Sequence, residues 1–227
     1  MSEFQVPYTD AFYDKQVKVS LRSAGLMLQR LSALWRPGSV VDAGCGRGTW
    51  LHAWERLGVE KLTGLDGPWV DPSKILSERI EFHPTDLNQP FRLPGRYDLA
   101  MSLEVAEHCK PEASEAFVAS LTSLADAIVF GAAYTGQPGA DHINTRPHSF
   151  WCAQFLERGY QIFDYFRPKF WGVEKIAPWY QQNTFIYVRP GHPLSAALLS
   201  DGEKPMDNPA FVDAIHPWLY DKGRGVI

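Results

Sequence analysis

The chain has 227 residues, 45% apolar and 21% charged, with a formal net charge of −4, which suits one well-buried globular domain and is short for two. Acidic and basic residues are interspersed, so no basic stripe is available to neutralise phosphates; nucleic acid is excluded as the main partner, and an anionic membrane surface for the same reason. Met1 to Asp10 lacks the basic start and apolar core of a signal peptide, and no apolar stretch approaches the length of a membrane span, so a soluble cytoplasmic protein is expected.

In chain order, Val17, Leu21, Ala24, Leu28, Leu31 and Trp35 recur at helical spacing and predict an amphipathic helix over 15–35, ended by Pro37 and Gly38. Val40 and Val41 then form a short apolar run, followed by a glycine cluster and by Trp50, Ala53, Trp54 and Leu57 at helical spacing, with Gly58 placed to close that helix. Strands are predicted at 61–66, 79–83 and 97–103, a helix over 111–125, and a strand at 127–133. Pro147 and Gly159 bracket a further helix, and strands at 160–166 and 183–188 finish the pattern. The alternation argues for a parallel sheet covered on both faces. The last two strands lie too close for a full crossover, so an antiparallel end to the sheet is expected. After Pro190 the pattern fades into a tail. One domain over 1–227 is therefore expected: a cap helix in 1–36, a core in 37–190 and a tail in 191–227. Cys45, Cys109 and Cys152 are odd in number, lack metal-ligand spacing and are expected to be reduced structural thiols.

The most informative run is Val40-Val41-Asp42-Ala43-Gly44-Cys45-Gly46-Arg47-Gly48. A glycine-rich turn between strand and helix lets backbone approach a ligand, and amides at the helix start donate to a carboxylate. Asp42 offers an acceptor for an ammonium. Asp66, ending the second predicted strand, is placed to accept both hydroxyls of a ribose. Asp86, after the third, either reaches an adenine amino group or forms an Asx turn.

VVDAGCGRGTWL resembles the first motif of class I S-adenosylmethionine (SAM)-dependent methyltransferases, and the segments at Asp66, Asp86 and YDLAMSLEVAEH are similar to the next three, over roughly residues 35–190. The resemblance implies an α/β, Rossmann-like three-layer sandwich with a seven-stranded, mostly parallel sheet of order 3-2-1-4-5-7-6. It implies SAM as cofactor, with Asp42, Gly44, Gly46, Asp66, Gly67, Asp86, Leu87 and Leu103 as its binding set. A dehydrogenase using NAD also expects a strand-two acid, but its Gly-x-Gly-x-x-Gly spacing differs from the Gly-x-Gly-x-Gly here.

Methyl transfer needs in-line placement and, for a hydroxyl acceptor, proton removal. If a helical turn starts after the fourth strand, Glu104, Glu107 and His108 share a face and offer a divalent cation such as Mg two carboxylates and an imidazole. The pattern resembles the Glu-x-x-Glu-His site of small-RNA 2′-O-methyltransferases and ubiquinone-pathway O-methyltransferases, which implies a further histidine in the metal shell, His142 or His148. Without metal, His108, His142 or His148 is the candidate base. The stretch 134–149 is too long and polar for a bare connection, and Tyr134, Gln137, His142, Asn144, Arg146 and His148 are expected over the cofactor end of the sheet; HIN followed by SFW resembles bacterial methyltransferases of glycan or secondary metabolism. Residues 165–181, rich in aromatics and carrying Arg167, Lys169 and Lys175, read either as a wall for sugars or anionic groups or as a packed flap or homodimer contact. The sequence thus predicts SAM-dependent O-methylation of a small-molecule or saccharide-containing metabolite. A catalytically silent SAM-binding scaffold is the reading from another class, and an NAD-dependent oxidoreductase the third.

Overall fold

The computed structural model describes the backbone of residues 10–223 and side chains from Val17 onward; the expectations about residues 1–9 and the last four residues of the tail lie outside them. Seven strands form one sheet in the order β3-β2-β1-β4-β5-β7-β6: β1 Ser39–Ala43, β2 Lys61–Asp66, β3 Ile80–Pro84, β4 Leu99–Leu103, β5 Ala127–Gly131, β6 Gln161–Phe163 and β7 Phe185–Val188. The first five are parallel, and β7 runs antiparallel to both β5 and β6. This is the order and the antiparallel end that the sequence led us to expect.

Alternate residues of a strand point to opposite faces, and here both faces are buried. On one, Val40, Met101, Val129 and Ile186 pack against α1 Asp10–Ser32 and α2 Thr49–Arg56. On the other, Val41, Ala100, Ile128 and Phe185 pack against α3 Ser114–Leu124 and α4 His148–Glu157. Burial on two faces is why the strands read as continuous apolar runs such as Ala127 to Phe130. Helix α1 turns Ala24, Met27, Leu28 and Leu31 into the core; its last turn closes when Leu34 and Trp35 donate to the Leu31 carbonyl.

The tail departs from expectation. Past Pro190 the chain forms α7 Pro193–Ser200 and, further on, α8 Pro217–Gly223, and Leu194, Leu198 and Val212 are fully buried. Pro193 starts α7 with its fixed φ, and the His192 ring accepts the Leu194 N–H. Two leucines four apart then dock on the α1 side of the core. So short a periodic run carries little signal in the sequence. Between β6 and β7 lie α5 Arg167–Phe170 and α6 Pro178–Asn183. The three cysteines are free and buried. No helix among the described residues is long and apolar enough to cross a membrane.

From β1 the chain winds outward through β2 and β3, then returns to place β4 and β5 on β1's other side. That reversal leaves a crevice beyond the carboxyl ends of β1 and β4.

Candidate active site

The loop leaving β1 holds Gly44, Gly46 and Gly48 at φ 87°, 53° and 76°, in the left-handed region that glycine enters without a Cβ penalty. Their surroundings differ. A Cβ on Gly44 would collide with Val105 and one on Gly48 with Ile80, whereas one on Gly46 would meet open space. The loop amides are engaged within the protein: Gly44 and Cys45 donate to the Leu65 carbonyl, and Gly46 donates to Asp66 Oδ2 at 2.7 Å. These three loop amides are therefore taken up within the protein; the donors expected for a ligand carboxylate lie further on, at the start of α2. Asp66 also accepts the Gly67 N–H on Oδ1 at 2.7 Å, so it clamps the loops after β1 and β2 together.

Asp42, buried at 3% exposure, has its pKa pushed up to about 8 by burial and by Asp66. Burial raises Asp66 too, against the bonds from Gly46 and Gly67. Two buried, mutually repelling carboxylates are relieved by a positively charged ligand. With the bare wall at Gly46 and the half-exposed Trp69 ring beside it, these residues fit a cationic nucleoside.

Gly44, Gly46, Asp66 and Leu87 line one cavity of about 520 Å³, with Trp69, Val70 and Asn88. Four residues of the expected cofactor set are outside its lining. Asp42 lies on β1, and Gly67 sits under Trp69, whose ring atoms a Gly67 Cβ would meet at 2.1 Å. Asp86 is exposed and accepts Asn88's backbone and side-chain N–H groups on Oδ1, the Asx-turn alternative. Leu103 packs into the core.

The other end of the cavity is formed after β4. Glu104 is in the left-handed region at φ 58°, an uncommon and strained conformation for a residue with a side chain. Asn183 Nδ2 donates to its Oε1 at 2.7 Å and Gln137 Nε2 to its Oε2 at 2.9 Å; burial still pushes its pKa up to about 7. A single 3-10 turn, Ala106–His108, follows, so Glu104 does not share a helical face with Glu107 and His108. Glu107 is fully buried, and neither carboxylate oxygen has a hydrogen-bond partner. Burial, then Glu104, raises its pKa strongly; the backbone amides of Glu107 and Ala133 favour the charge without meeting hydrogen-bond geometry.

His142 Nδ1 lies 3.0 Å from the Gln137 carbonyl and His108 Nδ1 lies 3.2 Å from that of Asp141. A carbonyl only accepts, so each Nδ1 carries a proton and each Nε2 keeps a lone pair. Burial lowers both histidine pKa values. Ligand atoms of Glu107, His108 and His142 lie within 4.8 Å of one another, and His142 Nε2 is 4.0 Å from Glu107 Oε1.

His148 is corrected. It is 2% exposed, bonded through Nδ1 to the Val212 carbonyl and through Nε2 to Asn183 Oδ1, and outside the cavity lining. Having no free nitrogen, it is neither a metal ligand nor a base. Of the 134–149 stretch, Gln137 to His142 line the cavity; Asn144 instead ties the turn after β4 to α3, through the Ala106 carbonyl and Ser114 Oγ, and accepts from Arg146. The aromatic segment divides similarly. Trp179 and Tyr180 line the cavity, Tyr165 and Phe166 belong to the core, and Arg167 and Lys169 pair with Asp164 and Glu203, which removes both as anion receptors. Asn183 and Gln182, not singled out in the sequence, are buried behind Glu104; their signal was a row of amides, Gln181-Gln182-Asn183, beside an apolar strand.

Residues 13–131 match a family profile described as a methyltransferase domain. A malonyl-(acyl-carrier protein) O-methyltransferase from Pseudescherichia vulneris is 31% identical over 99 residues, 43% of this chain and 39% of that protein, so the chain matches about two fifths of that relative's length. Among solved structures, the methyltransferase domain of bacterial CtHen1-C superposes with a TM-score of 0.57 at 17% identity, over 75% of this chain and 98% of that one. DesVI from Streptomyces venezuelae gives 0.55 at 15% identity, over 79% and 96%. The magnesium protoporphyrin IX methyltransferase ChlM from Synechocystis PCC 6803 with bound SAH gives 0.52 at 20%, over 80% and 88%. At these identities the superpositions show a shared fold.

Proposed function

This chain belongs to the methyltransferase-domain family, and on that premise we propose that it transfers a methyl group from SAM to a hydroxyl of a small-molecule or saccharide-containing metabolite. One observation carries the reading: Gly46 and Asp66 line the same cavity as Glu107, His108 and His142. SAM supplies an electrophilic methyl group on a cationic sulfur. Asp66 has spare lone pairs for ribose hydroxyls beyond those taken by Gly46 and Gly67. Asp42 supplies negative charge for an ammonium, and Trp69 and Leu87 supply apolar walls for adenine.

At the acceptor end, two imidazoles with free Nε2 lone pairs and a buried carboxylate without a partner are the donor set of a divalent cation site. A cation held there lowers the pKa of an acceptor hydroxyl and orients it. A second reading has His142 alone as base, favoured by its free Nε2 beside Glu107.

The test is incubation with SAM and a panel of hydroxylated sugars and phenols, read by mass for methylated product and SAH, with and without a chelator. Product formation that a chelator abolishes supports the cation, and product unaffected by it supports His142 as base. A scaffold yields neither product nor SAH. Calorimetric binding of NAD with none of SAM or SAH would move the chain to the oxidoreductase reading.

A further inference from the structure

The first turn of α2 carries a side-chain donor with nothing to donate to. Helix α2 follows directly on Gly48, which caps it in the left-handed region with no side-chain bond, and the turn holds no acidic residue. First-turn amides have no acceptor within their own helix, and that end of the helix dipole is positive. Trp50, the second residue of α2, is 6% exposed, and its indole Nε1 meets no hydrogen-bond partner among the described residues. A buried N–H left unpaired is unfavourable, and an acceptor that reaches it recovers the loss.

The Trp50 ring meets that of Tyr180 in a T-shaped contact, with centroids 5.0 Å apart and planes at 79°, and Tyr180 lines the same cavity as Gly46 and Asp66. The Tyr180 hydroxyl lies 3.0 Å from Ser20 Oγ of α1. Two hydroxyls carry two protons and the bond between them uses one, so one O–H is left to donate elsewhere. Burial raises the Tyr180 pKa against the opposing pull of Ser20, Trp50 and Trp179, and the phenol keeps its proton. The pair is held from α1: the Ala177 N–H donates to Ser23 Oγ at 3.1 Å, and Arg22 Nε to the Lys175 carbonyl at 2.8 Å, which fixes the start of α6 against that helix.

We propose that Trp50, Tyr180 and Ser20 receive the carboxylate at the amino-acid end of the cofactor, adding side-chain donors from α1, α2 and α6 to the first-turn amides of α2. A carboxylate offers two oxygens with several lone pairs, and hydrogen bonds to an ion are stronger than those between neutral groups. The ammonium and carboxylate of an amino acid hang on one carbon, so their receptors must be neighbours. Asp42 on β1 and Trp50 on α2 flank the same glycine turn, which meets that condition. The proposal rests on the function proposed above and concerns binding of the cofactor, not transfer of the methyl group.

The test uses the full chain with two probes, SAH and decarboxylated SAH, and needs no acceptor substrate. Trp50→Phe keeps a ring and removes the N–H; Tyr180→Phe removes one oxygen. In calorimetry at neutral pH the wild type is expected to prefer SAH, and each variant to lose about tenfold or more of its SAH affinity while binding the decarboxylated probe as before. The double variant should lose most of the preference. Tyr180→Phe alone decides the matter if Trp50→Phe does not fold. A folded variant with wild-type SAH affinity, or one that loses equally with both probes, overturns the receptor; so does a wild type that binds both probes alike, the result expected if the donors serve a carboxylate on the acceptor. Failure of the wild type to bind SAM and SAH at all overturns the underlying function, and the receptor with it.

Discussion

Gly44 and Val105 are pressed together: a Cβ on Gly44 would stand 2.2 Å from Val105 Cγ2. The contact joins the loop after β1 to the turn after β4 and so sets the width of the crevice between them. Gly44→Ala adds that clash to a φ of 87° and is expected to cost about 1–3 kcal/mol, roughly 2–12 °C in Tm. Gly46→Ala meets no atom within 4 Å and pays only for its backbone, about 1 kcal/mol, while its methyl enters the cavity. Differential scanning calorimetry and SAH titration should therefore separate the pair: Gly44→Ala loses mainly stability, Gly46→Ala mainly affinity. Equal losses of both in the two variants would contradict this division of labour.

Asp66 bridges two loops through Gly46 and Gly67. Asp66→Asn sets a side-chain N–H against one of those backbone donors. A mismatch of this kind costs about 1–3 kcal/mol, and SAH affinity should fall by about tenfold or more because the ribose acceptor is lost as well. An Asp66→Asn protein binding SAH like wild type would show that the carboxylate does not hold the sugar.

The raised pKa of Asp42 has a definite sign. Its folded value, about 8 against 3.8, means that the folded ligand-free protein holds a proton the unfolded chain releases. That contribution to stability is complete below about pH 4 and is lost as pH rises toward about 8. A cation beside Asp42 expels the proton, so SAM should bind more tightly at pH 8 than at pH 6.5, with proton release visible as a buffer-dependent heat. Asp42→Asn should flatten both effects; a pH-independent affinity in the wild type would remove Asp42 from the ligand's charge environment.

A Cβ on Gly139 would fall 2.1 Å from His142 Nε2. Gly139→Ala should displace that imidazole while leaving the buried core intact. Mn²⁺ at about a hundred times its Kd should stabilise the wild type by about 2.7 kcal/mol, an upward shift in Tm that Gly139→Ala and Glu107→Gln both lose. His148→Asn should lower Tm without changing the Mn²⁺ shift, since His148 bonds to Val212 and Asn183 away from the cluster. An Mn²⁺ response abolished in His148→Asn but kept in Glu107→Gln would return His148 to the ligand set.

Short-range pattern carried the strand–turn–helix at 39–56, the second strand to its exact limits and the helix bracketed by Pro147 and Gly159, because period and punctuation are local properties. The motif named Gly44, Gly46 and Asp66, and these line one cavity together with Glu104, Glu107 and His108. Which of several nearby polar groups faces that cavity was decided by packing. Glu104 and Glu107 are three apart, but a left-handed residue and a 3-10 turn point one at the amides of Gln137 and Asn183 and leave the other without a partner. His142 and His148 were equal candidates by sequence; a carbonyl of its own loop leaves one with a free Nε2, and the tail takes up both nitrogens of the other. The chain alone determined the fold and the groups brought to the crevice. Only the tertiary structure decided their partners, because a hydrogen bond depends on where donors from distant segments come to rest.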